Sequence, residues 1–202
     1  MTQQAYGRIE NGKIVEYPVY ENHIKRRGHP MDWYVPVVAL EVPTYDARIQ
    51  SIQETLTITG KYIVASYTVV SLSVDAILDK LYYPNGRFNP TNPAEQVEPA
   101  TVTIASVDPV VLNHVVEQVS SALGKDLDAF VATRNYDDMR SCATYLNSSN
   151  ATFAAEAATA VGLRDTTYTN LYTYLAEVQA GTKPVPQNLA EIKANLPVLA
   201  WS

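Results

Sequence analysis

The histidines offer the first possible chemistry of this chain, which would be metal binding. His23 and His29 lie six residues apart on either side of Gly28, so a turn at the glycine would bring them together. A metal site needs at least a third ligand, and Asp32 is the local candidate. The simpler interpretation is that both are loop histidines bonded to the backbone. We therefore predict that the chain binds no metal and no cofactor.

No other group of side chains has the spacing of a catalytic site. Asp137 and Asp138 are adjacent, so on a helix their side chains would diverge by about 100°. We interpret them as first-turn acids that complement a helix dipole. Cys142, the single cysteine, cannot form an internal disulfide and is expected to be a small buried hydrophobe. The sequence has no Gly-rich phosphate loop, no nucleophile elbow and no paired Cys-x-x-Cys motif, which predicts a protein that is not an enzyme.

Charge and hydropathy exclude two further classes of function. The net charge is −6, whereas binding along a nucleic-acid backbone requires a basic face. The basic cluster from Lys25 to Arg27 fits a solvated face, or a patch that pairs with carboxylates of a partner protein. No stretch approaches the roughly 18 apolar residues of a transmembrane helix. The N-terminus has no secretory signal pattern, so we expect neither a membrane span nor export by a signal of its own.

The first element favours a docking surface over a catalytic scaffold. Asn11-Gly12 is a strong β-hairpin signal, since both residues tolerate the positive φ of a type I′ turn. A two-stranded hairpin is marginal in water, so it needs a further strand, a helix or a partner chain. Tyrosine, which suits both interfaces and core edges, outnumbers phenylalanine 14 to 3. The residues predicted to contact a partner are Arg8, Ile9, Ile14, Val15, Tyr17, Lys25, Arg26, Arg27, Trp33 and Tyr34.

Residues 1–83 are predicted to form a β-rich attachment module of two hairpins and a short helix. The predicted elements after the first hairpin are a helical turn at 21–26, strands at 49–59 and 61–71 joined by Gly60-Lys61, and a helix capped by Ser73. Residues 84–107 contain four prolines, which predicts a stiff linker or an ordered surface loop. The segment "TVTIASV" within that linker has the composition of one more strand.

Residues 108–202 are predicted to form a helical bundle, because the apolar period changes there from about two to about 3.6. Asp108 and Pro109 have the types expected of an N-cap and a first helical residue. The predicted helices run from 108 to a stop at Gly124, from 126 to 134, from 139 to 146, from 151 to 180, and within "QNLAEIKANL". We expect "LPVLAW" to fold back so that Trp201 packs near the long helix. The predicted fold class is α+β.

Two stretches resemble proteins of bacteriophage tails. "GRIENGKIVEYPVYENHIKRRGHPMDWYVPV" is similar to the N-termini of small tail proteins, which begin R-I-x-N-G-x-V-x-E-Y-P-V. The segment from Leu127 to Trp201 resembles a helical C-terminal segment of tail and tail-fibre-associated proteins, with Tyr168 where a Trp is more usual. The matching positions there are Asp128, Phe130, Thr133, Arg134, Tyr136, Asp137, Arg164, Asp165, Leu171, Tyr172, Leu175 to Val178, Ala180, Gly181, Pro184, Pro186, Leu196, Pro197, Leu199 and Trp201.

The resemblance implies a structural virion protein of the tail, made in the host cytoplasm and joined to other proteins of the baseplate or tail-fibre base. It implies an oligomer in the virion, no enzymatic activity and no catalytic residues. Two alternatives stay open. One is a tail-fibre assembly chaperone that is absent from the mature virion, and the other is a small receptor-binding or host-interaction module.

Overall fold

The chain divides into two compact units in the computed structural model, which describes residues 3–201. Unit 1 is Met1–Ser71 and contains a five-stranded sheet. Unit 2 is Leu72–Ser202 and is mainly helical. The predicted α+β class is confirmed.

Unit 1 consists of two hairpins, a strand between them and one short helix. The strands are β1 (Ala5–Glu10), β2 (Lys13–Tyr20), β3 (Tyr34–Ala39), β4 (Gln50–Thr59) and β5 (Tyr62–Ser71). Helix α1 (Glu21–Arg26) and a 3₁₀ turn (Met31–Trp33) connect β2 to β3. The first turn has φ of 50° at Asn11 and 73° at Gly12, as a type I′ hairpin requires. Both predicted hairpins are confirmed.

Strand β3 joins the two hairpins and was not predicted. The sheet order is β2-β1-β3-β5-β4. In β3, Pro36 lies opposite Tyr6 of antiparallel β1, and Val37 lies opposite Ile63 of parallel β5. A proline within a short run argues against a central strand, because it cannot donate to a ladder. Pairing with both hairpins outweighs that local signal.

The sheet curls, so that strands far apart in the sheet order come into contact. Tyr17 in edge strand β2 donates its hydroxyl to Glu54 Oε1 in the opposite edge strand β4, at 2.8 Å. Gly7 of β1 lies against Ile63 of β5, where a Cβ at position 7 would overlap the Ile63 Cδ1. A side chain at position 7 would therefore force the Ile63 side chain to move.

Unit 2 is built around two long helices. Its elements are α2 (Val74–Tyr82), a short hairpin of β6 (Phe88–Asn89) and β7 (Asn92–Gln96), a 3₁₀ turn (Ile104–Ser106), α3 (Pro109–Ala132), α4 (Met139–Ala143), a 3₁₀ turn (Thr144–Asn147), α5 (Ala151–Gln179) and α6 (Leu189–Lys193). Side chains cap the helices at the predicted positions: Ser73 accepts from Ala76 N, and Asp108 accepts from Val110 N.

The domain boundary differs from the predicted one. Helix α2, which the sequence placed with the hairpins in residues 1–83, belongs to unit 2. Its Val74 and Leu78 are buried with Val119 of α3 and Leu171 of α5. An amphipathic stripe shows that a helix buries one face but not against which element, so the sequence could not assign α2 to a unit.

Residues 84–107 are part of unit 2 rather than a linker. Val102 and Ile104 pack against the helical core, and Val107 is buried. The Ala100 N–H donates to the Tyr82 carbonyl oxygen at 2.8 Å. The strand predicted in "TVTIASV" is absent: residues 104–106 form a 3₁₀ turn, and the strands of this segment lie earlier, in β6 and β7.

Helix α3 continues through Gly124, where the sequence predicted a stop. It joins the two helices predicted at 108–123 and 126–134. A mid-helix glycine costs about 1 kcal/mol relative to alanine. Burial of the neighbouring Leu123 and Leu127, each about 2–3 kcal/mol by area, outweighs that cost. The other predicted helices are confirmed as α4 with its following 3₁₀ turn, α5 and α6.

The last described residues fold back on the bundle, as predicted. The Trp201 ring stacks on Phe130 of α3 with ring centroids 4.2 Å apart. Its Nε1–H donates to Thr133 Oγ1 at 2.9 Å. Leu199 and Trp201 pack on the cluster that contains Ala157 of the long helix α5, and Leu196 packs on the other core cluster of unit 2.

Candidate partner-binding surface

The predicted contact residues lie on the first hairpin and the connection to β3. Helix α1 covers one face of the hairpin, where Val19, Ile24 and Tyr34 are buried together. Ile24 is the single buried residue of α1. The other side chains of α1 therefore point to solvent, and the helix presents its basic residues outward.

Glu16 is the centre of a polar cluster on this side of the hairpin. Its Oε1 accepts from Arg27 Nη1, and its Oε2 accepts from the Tyr34 hydroxyl at 3.2 Å. Arg8 Nε lies 3.9 Å from the same Oε2. The hydrogen bond from Arg27, partly opposed by desolvation, holds the pKa of Glu16 below its ordinary value. The negatively charged Glu16 carboxylate therefore interacts with the side chains of both Arg8 and Arg27.

His29 belongs to this cluster through Tyr34. His29 Nδ1 lies 2.8 Å from the Tyr34 hydroxyl oxygen. Which of the two atoms donates this hydrogen bond depends on the His29 tautomer. The His29 ring also lies 5.3 Å from the Trp33 ring, between centroids. The His29 side chain is thus bonded to another side chain, whereas a bond to the backbone was expected.

The two histidines do not form a metal site with Asp32. His23 packs edge-on against Tyr20, with ring centroids 6.0 Å apart, while His29 is bonded to Tyr34. Nowhere in residues 3–201 do three His, Cys, Asp or Glu side chains converge in a way that could hold a metal ion.

The ten predicted contact residues separate into an outer and an inner group. Trp33 is 50% exposed and Val15 is 47% exposed, so both can contact another molecule directly. The other members of the outer group are Lys25, which pairs with Glu21, and Arg26 and Arg27.

The inner group packs within unit 1, where four of its residues are half-buried and Tyr34 is buried. Ile9 and Ile14 pack against the cluster of Val37, Ile63 and Ala65. Tyr17 packs there too, and burial together with its bond to Glu54 raises its pKa. The inner group is completed by Arg8, tied to Glu16, and by Tyr34, which is buried.

Sequence reasoning missed Glu16 because of the hairpin register. Continuing the pairing of Glu10 with Lys13 and Ile9 with Ile14 would set Arg8 opposite Val15. A register shift between Arg8 and Ile9 instead sets Arg8 opposite Glu16. The alternation of residue types does not reveal such a bulge, so the ion pair could not be read from spacing.

Residues of the C-terminal resemblance form an interlocked corner in unit 2. Asp128 Oδ1 accepts from the Met139 N–H at 2.8 Å. Tyr136 donates to Glu156 Oε2 at 2.9 Å, and Arg134 lies 3.3 Å from Glu156 Oε1. Desolvation first, and then the bond to Glu156, raise the pKa of Tyr136 to about 12. The bond of Asp128 joins α3 to α4, and the contacts of Tyr136 and Arg134 join the α3–α4 loop to α5.

The other groups considered for chemistry have structural positions. Asp138 is the N-cap of α4 and accepts from the Ser141 N–H at 2.6 Å, and Asp137 precedes it, so neither lies in the first turn where the sequence predicted both acids. Cys142 is fully buried, and desolvation raises the pKa of its thiol. A thiol held protonated in an apolar cluster is a poor nucleophile.

Within the described residues, no helix combines the length and apolar character needed to cross a bilayer.

Comparison with known proteins adds no assignment. No family model matches the chain, and neither the curated proteins nor the solved structures contain a significant match.

Proposed function

We propose that this chain is a non-enzymatic structural protein of a bacteriophage tail, located at the baseplate or the base of a tail fibre. Unit 1 attaches it to another tail protein, and unit 2 faces a fibre or the exterior. The proposal rests on the two resembling stretches, which together span over half of the chain.

The observation that carries the proposal is the role of the resembling residues. Asp128 bonds from α3 to α4, Arg134 and Tyr136 bond from the α3–α4 loop to α5, and the Trp201 ring stacks on Phe130. Because these side chains form caps, ion pairs and stacking contacts within unit 2, they support a structural role rather than a catalytic one.

The outer group supplies the contact that attachment requires. Trp33 offers a large exposed ring, and the same outer group contains Arg26 and Arg27; Trp and Arg are the types enriched at interface hot spots. The matching surface on the partner would be acidic around an apolar pocket.

Quantitative mass spectrometry of purified particles tests the proposal. A structural protein is present at a fixed copy number per virion, whereas its absence would sink the proposal and favour an assembly chaperone. Trp33→Ala should lower the copy number in particles, while Tyr45→Ala, at a residue 41% exposed in unit 1 but outside the outer group, serves as the matched control. Binding of the isolated chain to host cells would support a receptor-binding module instead.

A further inference from the structure

The outer edge of β4 is a regular template for another strand. The strand is ten residues long, and its pairing with β5 runs without irregularity from Gln50 opposite Ser71 to Thr59 opposite Tyr62. In the described part of the chain, no strand pairs with its other edge. Exposed regular edges of this kind promote pairing with another chain unless the protein blocks them.

The two edges of the sheet differ in this respect. The opposite edge strand, β2, contains Lys13 and Pro18, and its pairing with β1 is interrupted by register shifts. Lysine, proline and bulges are the devices that normally prevent edge pairing. Strand β4, "QSIQETLTIT", has none of them. Its single charged residue, Glu54, accepts a hydrogen bond from Tyr17.

The turn between β4 and β5 shows which peptide groups are free. A two-residue connection makes its flanking residues, Thr59 and Tyr62, a hydrogen-bonded pair. Alternation along β4 then directs the peptide groups of odd-numbered residues toward β5. Those of Ile52, Glu54, Leu56 and Ile58 face outward, where they can bond to an added strand.

We propose that the β4 edge pairs with β4 of a second copy of this chain, antiparallel about a two-fold axis at Thr55. The strand is complementary to itself in that register. Ile52 lies opposite Ile58 of the second copy, and Thr55 lies opposite its own counterpart. Glu54 lies opposite Leu56, which keeps the two acidic side chains from directly facing each other. Threonine and aliphatic pairs of this kind stabilise neighbouring strands, whereas like charges directly opposite destabilise them.

This dimer does not depend on the proposed tail function, because the sheet edge alone carries it. A two-fold interface uses the same patch on both copies and closes after one contact. The result is a ten-stranded sheet that continues from one chain into the other and leaves no free β4 edge.

Sedimentation of the full chain over a concentration series tests the dimer. We expect a concentration-dependent dimer for the wild type. Thr55→Lys, which places two lysines opposite each other at the axis, should be monomeric at the same concentrations. Thr68→Lys is the matched control, because Thr68 is exposed on the same sheet face but lies in β5, away from the edge. A chain that stays monomeric throughout would overturn the proposal, as would equal dissociation of the two variants.

Disulfide trapping tests the register without relying on loss of binding. At the axis, the two Thr55 residues form a non-hydrogen-bonded pair with Cα atoms about 4.5 Å apart, which a disulfide can bridge. Thr57 and its counterpart would lie about 13 Å apart, which exceeds a disulfide's reach. Under mild oxidation we expect Thr55→Cys to give a covalent dimer and Thr57→Cys to give none. Equal cross-linking of both variants would overturn the proposed register.

Discussion

Removal of the Trp201 side chain is the most direct perturbation of unit 2. In Trp201→Ala the ring loses its stack on Phe130, its bond to Thr133 and its position 5.5 Å from the Arg134 guanidinium. An aromatic pair contributes about 0.5–1.5 kcal/mol and a hydrogen bond about 1 kcal/mol. Partial burial of the ring adds about 1 kcal/mol or more. We expect the free energy of unfolding of unit 2 to fall by about 2–4 kcal/mol.

Urea unfolding followed by far-ultraviolet circular dichroism measures this change on the helical signal. Trp201→Phe keeps the stacking and loses the hydrogen bond, so its cost should be about 1 kcal/mol. Val198→Ala is the control, because Val198 is 86% exposed in the same segment and should change stability by less than about 0.5 kcal/mol. With Trp33→Phe in place, Trp201 fluorescence should be blue-shifted and protected from quencher. A Trp201→Ala variant as stable as the wild type would refute the fold-back, as would a red-shifted and quenchable Trp201 in the Trp33→Phe variant.

Three further predictions follow from the packing of the two units. Gly7→Ala should destabilise unit 1 by about 1–3 kcal/mol in thermal unfolding, because its Cβ overlaps Ile63, and Ile63→Val should recover part of that loss. Tyr136, whose pKa is raised to about 12, stabilises the fold fully below pH of about 10 and loses that contribution as pH rises through 12. Tyr136→Phe should therefore flatten the alkaline decline in unfolding temperature, and an unchanged profile would contradict the assignment. A fragment of residues 72–202 should be helical and unfold cooperatively. A fragment of residues 108–202, which lacks α2, should have its unfolding midpoint at a lower urea concentration. Equal midpoints would show that α2 does not belong to the core of unit 2.

The sequence predicted part of the candidate surface. The Asn11-Gly12 turn fixed the start of the hairpin, and the exposed Trp33 was among the predicted contact residues. It did not indicate that Tyr34 is buried or that Glu16 gathers Arg27 and His29 around it. Those contacts depend on a bulge and on a strand added from later in the chain, which local alternation does not encode.

Some features of this fold depend on only a few neighbouring residues, and these could be predicted from the sequence. The hairpin turn at Asn11-Gly12, the caps at Asp108 and Asn150, and the long helix after Asn150 all follow from backbone preferences and side-chain bonds within about four residues. Each is favoured by residues that are neighbours in the sequence, so the pattern and the structure agree.

Other features depend on packing against elements that are distant in the sequence, and these appear only in the tertiary structure. Strand β3 exists because two hairpins pair with it on either side, although Pro36 weakens its local signal. Helix α3 runs through Gly124, and α2 with residues 84–107 joins the helical core rather than the sheet. In each case the burial of apolar side chains against elements far along the chain contributes more free energy than the local propensity that opposes it, and that burial is fixed only when the whole unit packs.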